Sequence, residues 1–221
     1  MVTPVQKQRP ETQVQAQRAS AGPSRLIFGL DATASRQPTW DQACALQAEI
    51  FTSATAAAKV QVQLLYFRGL DECRASQWFT NSTDLNNSMV KIVCQGGHTQ
   101  IRKALKHARK EADSGGLRGM LFVGDAFEEQ AYVDSMLGDA QALGLKGVPV
   151  FMLQEGDERE AERVFKMIAH ASGGVHLRFD GNAPAQMAKL LQAVGAYLAT
   201  GNMEEIKALA GPGDVGRLGS R

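Results

Sequence analysis

Two short apolar runs, each ending in a carboxylate, constrain this chain more than anything else in it. Leu26-Ile27-Phe28-Gly29-Leu30 runs into Asp31, and Met120-Leu121-Phe122-Val123 runs across Gly124 into Asp125. Four or five apolar residues without polar alternation are the pattern of a strand buried on both faces of a parallel sheet. Such a strand needs helices above and below it. The intervening segments supply them.

After Pro38 and Asp41, the residues Ala43, Leu46, Ile50, Ala54 and Ala57 recur at helical spacing. Val60 to Phe67 is β-rich and apolar, closed by Arg68-Gly69, and Cys73 to Asn81 reads as a short edge strand around Trp78 and Phe79. Ser82 to Val93 reads as a brief helix with Leu85 and Met89 inward. From Thr99 to Asp113 the spacing predicts a helix with Ile101, Leu105, Ala108 and Ala112 on its apolar face. Its other face carries Arg102, Lys103, Lys106, Arg109 and Lys110, without interleaved aromatic residues, and so reads as solvated rather than as a nucleic-acid surface. Further helices are predicted over Glu128 to Leu143, Asp157 to Ala171 and Ala183 to Ala199, with a strand over Val148 to Leu153. Val175, Leu177 and Phe179 alternate with His176 and Arg178, the pattern of a half-exposed edge strand. The alternation of strand and helix predicts an α/β fold: a doubly wound, mostly parallel central sheet, helices on both faces and one antiparallel edge strand.

Composition bounds the rest. The 221 residues are 44% hydrophobic and 21% charged, which suits one sizeable domain with short tails. A net charge of +1 provides no global field for nucleic acid or membrane. Residues 1–24 are Gln-rich with Pro4, Pro10 and Pro23, a composition that cannot bury enough apolar surface to order itself. The expected organisation is a disordered leader over 1–24, a domain over 25–200 and a frayed extension over 201–221, with one more helical turn from Met203 to Ala210. No apolar run reaches the length of a membrane span, and the N-terminus lacks the apolar core of a signal peptide. Cys44, Cys73 and Cys94 are widely spaced and form no C-x-x-C pair, so they read as free thiols of a cytoplasmic protein.

The first run leads directly into Asp31-Ala32-Thr33-Ala34-Ser35, with oxygen-bearing side chains at alternate positions. In open α/β sheets the carboxyl ends of the strands line the ligand crevice. Alone, these residues suit a hard cation such as Mg2+ and a helix N-cap or turn cluster equally well. Two further places carry matching chemistry: Thr99, after Gly96-Gly97-His98, and Asp125. In the commonest doubly wound order, the first strand and the strand that opens the second half are neighbours at the switch point. If Met120–Val123 is that strand, Asp31 and Asp125 face each other. Thr99, entering the intervening helix, reaches the same point. His98 reads as a solvent-facing loop residue. Trp40, Phe127 and Arg36 flank the site, as rim contacts or as packing. His107, His170 and His176 are scattered without ligand spacing.

With those residues in place, the chain resembles the von Willebrand factor A (vWA) domain family and its metal-ion-dependent adhesion site, or MIDAS, in its bacterial intracellular form. The family's pattern is D-x-S-x-S, then a lone Thr in a Gly-rich loop, then an Asp ending the fourth strand, often as T-D-G. Asp31-Ala32-Thr33-Ala34-Ser35, Gly96-Gly97-His98-Thr99 and Val123-Gly124-Asp125-Ala126 follow that order from about Leu26 to Thr200. Thr33 replaces the middle Ser, and Gly124 and Ala126 replace the usual flanking Thr and Gly. The resemblance implies Mg2+ or Mn2+ held by Asp31, Thr33, Ser35, Thr99 and Asp125, with an open position for a Glu or Asp of a partner protein. It implies a non-enzymatic adaptor or assembly factor, working beside an ATPase or chaperone. The alternative is a Mg2+-dependent phosphatase or phosphotransferase, since dehalogenase-like phosphatases also place an Asp at the end of the first strand. Their D-x-D pattern would need an Asp where Thr33 stands, and no phosphate-binding glycine loop is present. A third possibility is an A-domain scaffold whose site stays empty.

Overall fold

The structure, a computed structural model, describes residues 22–52, 60–180 and 184–210. Six strands form one sheet: β1 (Ser24–Asp31), β2 (Val60–Arg68), β3 (Glu72–Phe79), β4 (Leu117–Gly124), β5 (Val150–Glu155) and β6 (His176–Phe179). Their order is β3-β2-β1-β4-β5-β6. Every neighbouring pair is parallel except β2 with β3, the antiparallel edge. Around the sheet lie α1 (Gln37–Leu46), α2 (Ala48–Thr52), α3 (Ser82–Met89), α4 (Ile101–Asp113), α5 (Val133–Leu145), α6 (Arg159–Ser172), α7 (Pro184–Thr200) and α8 (Glu204–Leu209). The fold class expected from the alternation is the one observed.

Because side chains alternate across a strand, the central strands feed two cores. Leu26, Phe28 and Leu30 of β1 pack with Trp40, Ile50, Leu85, Met89, Leu191, Val194 and Ile206, under α1, α2, α3, α7 and α8. Ile27, with Phe67, Met120 and Phe122, packs against Leu105, Met136, Leu143, Phe165 and Ile168, under α4, α5 and α6. Phe122 anchors the second core, stacked on Phe67 at 6.0 Å and edge-on to Phe165 at 5.8 Å. Each fully buried side chain of this size contributes about 1.5–3 kcal/mol.

Several element boundaries depart from the expected ones. The first helix is interrupted at Gln47, where the backbone tightens to an Ile50 N–H to Gln47 carbonyl bond of 3.2 Å; Ala54 and Ala57 lie outside the described residues. The strand expected over Val148 to Leu153 lies two residues later. Val148 N–H is spent on the Leu143 carbonyl, closing the preceding helix, and Pro149 has no N–H to give. The helix expected from Glu128 begins at Val133, after a short 3-10 turn over Gln130–Tyr132. Glu128 and Glu129 instead turn back towards α4, as described below. His176 is not half-exposed but fully buried, its Nε2 3.0 Å from Gln154 Oε1, because α6 covers that face of β6 and brings Glu162 into electrostatic reach. Beyond Thr200, α8 buries Ile206. Of the leader expected over 1–24, residues 1–21 lie outside the described residues and Ser24 already opens β1; of the extension expected over 201–221, residues 211–221 lie outside them. Among the described residues, no helix is long and apolar enough to cross a membrane.

The loop from Val90 to Gln100 is laid over the carboxyl ends of β1 and β2. Gln95 N–H donates to Ala32 O at 3.0 Å, and His98 N–H donates to Gly69 O at 3.1 Å. Gly97 passes so close to the β2–β3 turn that a Cβ there would sit 1.9 Å from Gly69 O. Gly97→Ala must therefore displace one of two backbones, at a cost of about 1–3 kcal/mol. Gly138→Ala, on the exposed side of α5 with open space around it, is expected to stabilise by about 0.5–1 kcal/mol. Chemical denaturation of the two variants should move the midpoint in opposite directions. An unchanged midpoint for Gly97→Ala would contradict the close approach.

Candidate metal centre

The centre grows out of the parallel pairing of β1 with β4. Leu30 lies opposite Val123, so Asp31 and Asp125 leave neighbouring strands side by side. Ala32 extends the β1 ladder by one more bond, its N–H donating to Phe67 O at 2.9 Å. Thr33 then turns the chain: its N–H donates to Asp31 Oδ1 at 2.8 Å, an Asx-type turn. Arg36 N–H donates to Thr33 O at 3.0 Å, which closes a 3-10 turn over Ala34–Arg36 and leaves Ser35 exposed. Ser35 Oγ–H reaches Asp125 Oδ2 at 3.4 Å, a long contact.

Thr99 arrives by a different device. Its Oγ1 accepts from Glu128 N–H at 3.0 Å, and its own N–H donates to Glu128 Oε2 at 3.0 Å. Next to it, Glu129 accepts from Ile101 N–H at 2.5 Å and from Arg102 N–H at 3.3 Å, satisfying the amino end of α4. The loop after Asp125 and the start of α4 are thereby fastened together. Thr99 is brought to the loop that carries Asp125, yet among the described residues it shares no hydrogen bond with the other four candidate residues. Asp31 and Thr33 are bonded, as are Ser35 and Asp125, and the two carboxylates interact electrostatically.

Burial dominates the electrostatics. Asp31 is 3% exposed, and desolvation pushes its pKa from 3.8 up to about 6. Hydrogen bonds from Thr33 oppose that shift, the charge of Asp125 adds to it, and Arg36 opposes it. Arg36 is itself 2% exposed. Its Nη1 pairs with Glu155, its Nε lies 3.8 Å from Asp125 Oδ1, and the Thr39 hydroxyl donates to Glu155 as well. Of the three flanking residues that read either as rim or as packing, none is an exposed rim contact: Trp40 and Phe127 are buried as packing, and Arg36 is buried among carboxylates. His98 is exposed and faces Glu128 at 3.3 Å. Burial pushes the thiols of Cys44, Cys73 and Cys94 up to about 11, away from the reactive thiolate.

Glu128, Glu129 and Glu155 were not singled out by the sequence reading. Glu155 had a signal, for it ends a third apolar run, Val150 to Leu153, at the same rim as Asp31 and Asp125. It also borders a cleft of about 510 Å3 shared with Asp157, Arg178, Asp180 and Gln186. The two loop glutamates had none, since consecutive acidic residues after a strand read equally well as a helix start.

The raised pKa of Asp31 carries a sign. In the metal-free protein the carboxyl is protonated in both states only well below pH 3.8; between there and about pH 6 the unfolded state ionises first, and above about pH 6 the folded state must also hold it ionised and desolvated. Its contribution to stability is therefore present at low pH and lost as pH rises through 6. In EDTA, Asp31→Asn should approach the parent protein near pH 4 and exceed it by roughly 2–3 kcal/mol at pH 7.5. A stability difference that does not change with pH would contradict this.

No protein-family model matches the sequence, and no curated protein matches it. Solved structures do. A von Willebrand factor type A protein from Catenulispora acidiphila superposes with a TM-score of 0.66 at 14% identity, over 80% of this chain and 43% of that one. An aerotolerance-related membrane protein from Bacteroides fragilis, bearing multiple mutations to serine, gives a TM-score of 0.57 at 17% identity, over 79% of this chain and 98% of that one. Proximal thread matrix protein 1 from the mussel byssus, with a zinc-occupied MIDAS motif, gives a TM-score of 0.60 at 15% identity, over 81% of this chain and 46% of that one. The chain thus spans less than half the length of the first and third of these. At such identities the likeness is one of architecture, and it agrees with the strand order and the antiparallel edge already described: this chain has the von Willebrand factor A fold.

Proposed function

We propose that this chain is a non-enzymatic, divalent-cation-dependent protein-binding module. Its MIDAS-type centre is made by Asp31, Thr33, Ser35, Thr99 and Asp125, and it takes a Glu or Asp from a partner protein. The observation that carries the reading is the meeting of Ser35 and Asp125 beside a desolvated Asp31 on the neighbouring strand. Two ligands in one octahedral shell with bonds of 2.0–2.1 Å stand about 3 Å apart, and Ser35 Oγ and Asp125 Oδ2 stand 3.4 Å apart. The donor set is all oxygen, which suits Mg2+ or Mn2+ better than a soft metal. Among the described residues, no cluster of three or more His, Cys, Asp or Glu side chains forms at this rim or elsewhere, so the proposed shell relies on its hydroxyls.

A bound cation would supply one unsatisfied coordination position at the exposed rim. Asp125 and the hydroxyls would hold it, and Asp31, ionised in its presence, would balance part of its charge. Two carboxylates and neutral hydroxyls leave room for one incoming carboxylate, which makes a charge-assisted contact at the centre of an interface. The mussel protein with zinc in its MIDAS motif supports the capacity of this fold to hold a metal at such a place. An ATPase or chaperone is the partner class in keeping with the resemblance, residues 25–200 are the binding unit, and the three free thiols suit the cytoplasm.

Thermal unfolding in Mg2+ or Mn2+ tests the reading. At a cation concentration 100 times the dissociation constant, the folded state gains about 2.7 kcal/mol, or several degrees in Tm for a domain of this size. Asp125→Ala should abolish that gain while leaving the metal-free protein folded. No gain in the parent protein would overturn the metal centre. Asp31-dependent turnover of a generic phosphate ester would overturn the non-enzymatic reading.

A further inference from the structure

Arg36 is the side chain near the centre that the binding role leaves unexplained. It is 2% exposed and faces three carboxylates: Glu155 on Nη1, Asp125 at 3.8 Å from Nε, and Asp31 within electrostatic reach. Its Nε–H is buried without a hydrogen-bond partner. At 3.8 Å the approach to Asp125 Oδ1 is too long for a hydrogen bond. A small displacement would make it one. Glu155 pulls against that displacement: its Oε2 pairs with Arg36 Nη1 and accepts the Thr39 hydroxyl, which anchors it to α1. A buried donor left without a partner is costly, so one that faces a charged acceptor calls for an explanation.

We infer that Arg36 is an internal competitor of the divalent cation for Asp125, and that Glu155 is the positioning residue that holds the competitor off. The inference rests on the metal centre proposed above and concerns its regulation. A fixed positive charge beside a ligand of the metal opposes the metal directly, and in a buried setting salt screens that opposition weakly. When the metal engages Asp125, the guanidinium rests on Glu155. When the metal leaves, closing Nε–H onto Asp125 satisfies the orphaned donor and replaces one cation by another. The two occupants of Asp125 exclude each other, and the strength of the Arg36–Glu155 pair sets the balance between them.

The test is Mg2+ titration calorimetry on the full chain, with folding of each variant checked by circular dichroism. Arg36→Met should tighten Mg2+ binding about tenfold, and Glu155→Gln, which frees the guanidinium for Asp125, should weaken it about tenfold. In the double variant the Glu155 change should lose most of its effect, because it acts through Arg36. Arg36→Lys keeps the charge and should stay near the parent affinity. Should Arg36→Met fail to fold, the Arg36 Nε–H signal of the parent protein is read by NMR: hydrogen-bonded in EDTA and released by Mg2+. Single substitutions that weaken binding together, or an Nε–H signal indifferent to Mg2+, would reduce Arg36 to a support of the loop and overturn the competition alone. Failure of the parent and every variant to bind Mg2+ would remove the metal centre and this inference together.

Discussion

The parallel pairing of β1 with β4 is the constraint from which the rest follows. The chain leaves β1 to build one half of the sheet and returns through β4 to build the other, so the connections at these two strands depart in opposite directions and leave a crevice open between them. Whatever residues end the two strands are placed together there. In this chain an aspartate ends β1 and another immediately follows β4, the first of them nearly inaccessible to water. A fold that places two carboxylates at one point, one desolvated, must neutralise at least one of them, by a proton, a fixed cation or a bound one.

All three devices are within reach. Burial gives Asp31 a pKa of about 6, so a proton is available under mild acid. Arg36 provides the fixed charge, held between Asp125 and Glu155. The rim itself is lined with hydroxyls, and Thr33 and Ser35 add oxygen donors without adding negative charge. A buried ion pair is weak evidence of stability, because desolvation offsets most of its attraction. The Arg36–Glu155 pair is better understood as part of how the rim manages charge than as reinforcement of the core. The loops repeat the theme on a smaller scale, with Glu128 and Glu129 meeting the N–H groups at the start of α4.

Much of the architecture was legible because it depends on periodicities that a sequence displays directly. Leu26–Leu30 and Met120–Val123 could be read as doubly buried strands from their unbroken apolar character, and α4 and α6 from their spacing. Boundaries were less legible where one hydrogen bond decides them: Val148 closes a helix rather than opening a strand, and nothing local announces it. At the site, the order of Asp31, Thr33, Ser35, Thr99 and Asp125 was visible, but the partners of Arg36 were not. A lone arginine after a serine gives no sign that it will be buried, and Glu155 lies more than a hundred residues away. Contacts of that kind are set by which strand ends are neighbours in the folded sheet, which local sequence does not record. His176 shows the same limit, since its burial depends on a helix that crosses from another part of the chain.

The most direct measurement of the central claim is anomalous diffraction from crystals grown with Mn2+. The expected result is one strong peak at the rim, within coordination distance of Asp125 and Ser35, with Arg36 resting on Glu155. A map with no peak there, and Arg36 closed onto Asp125 in saturating Mn2+, would contradict the claim that these strand ends hold a cation.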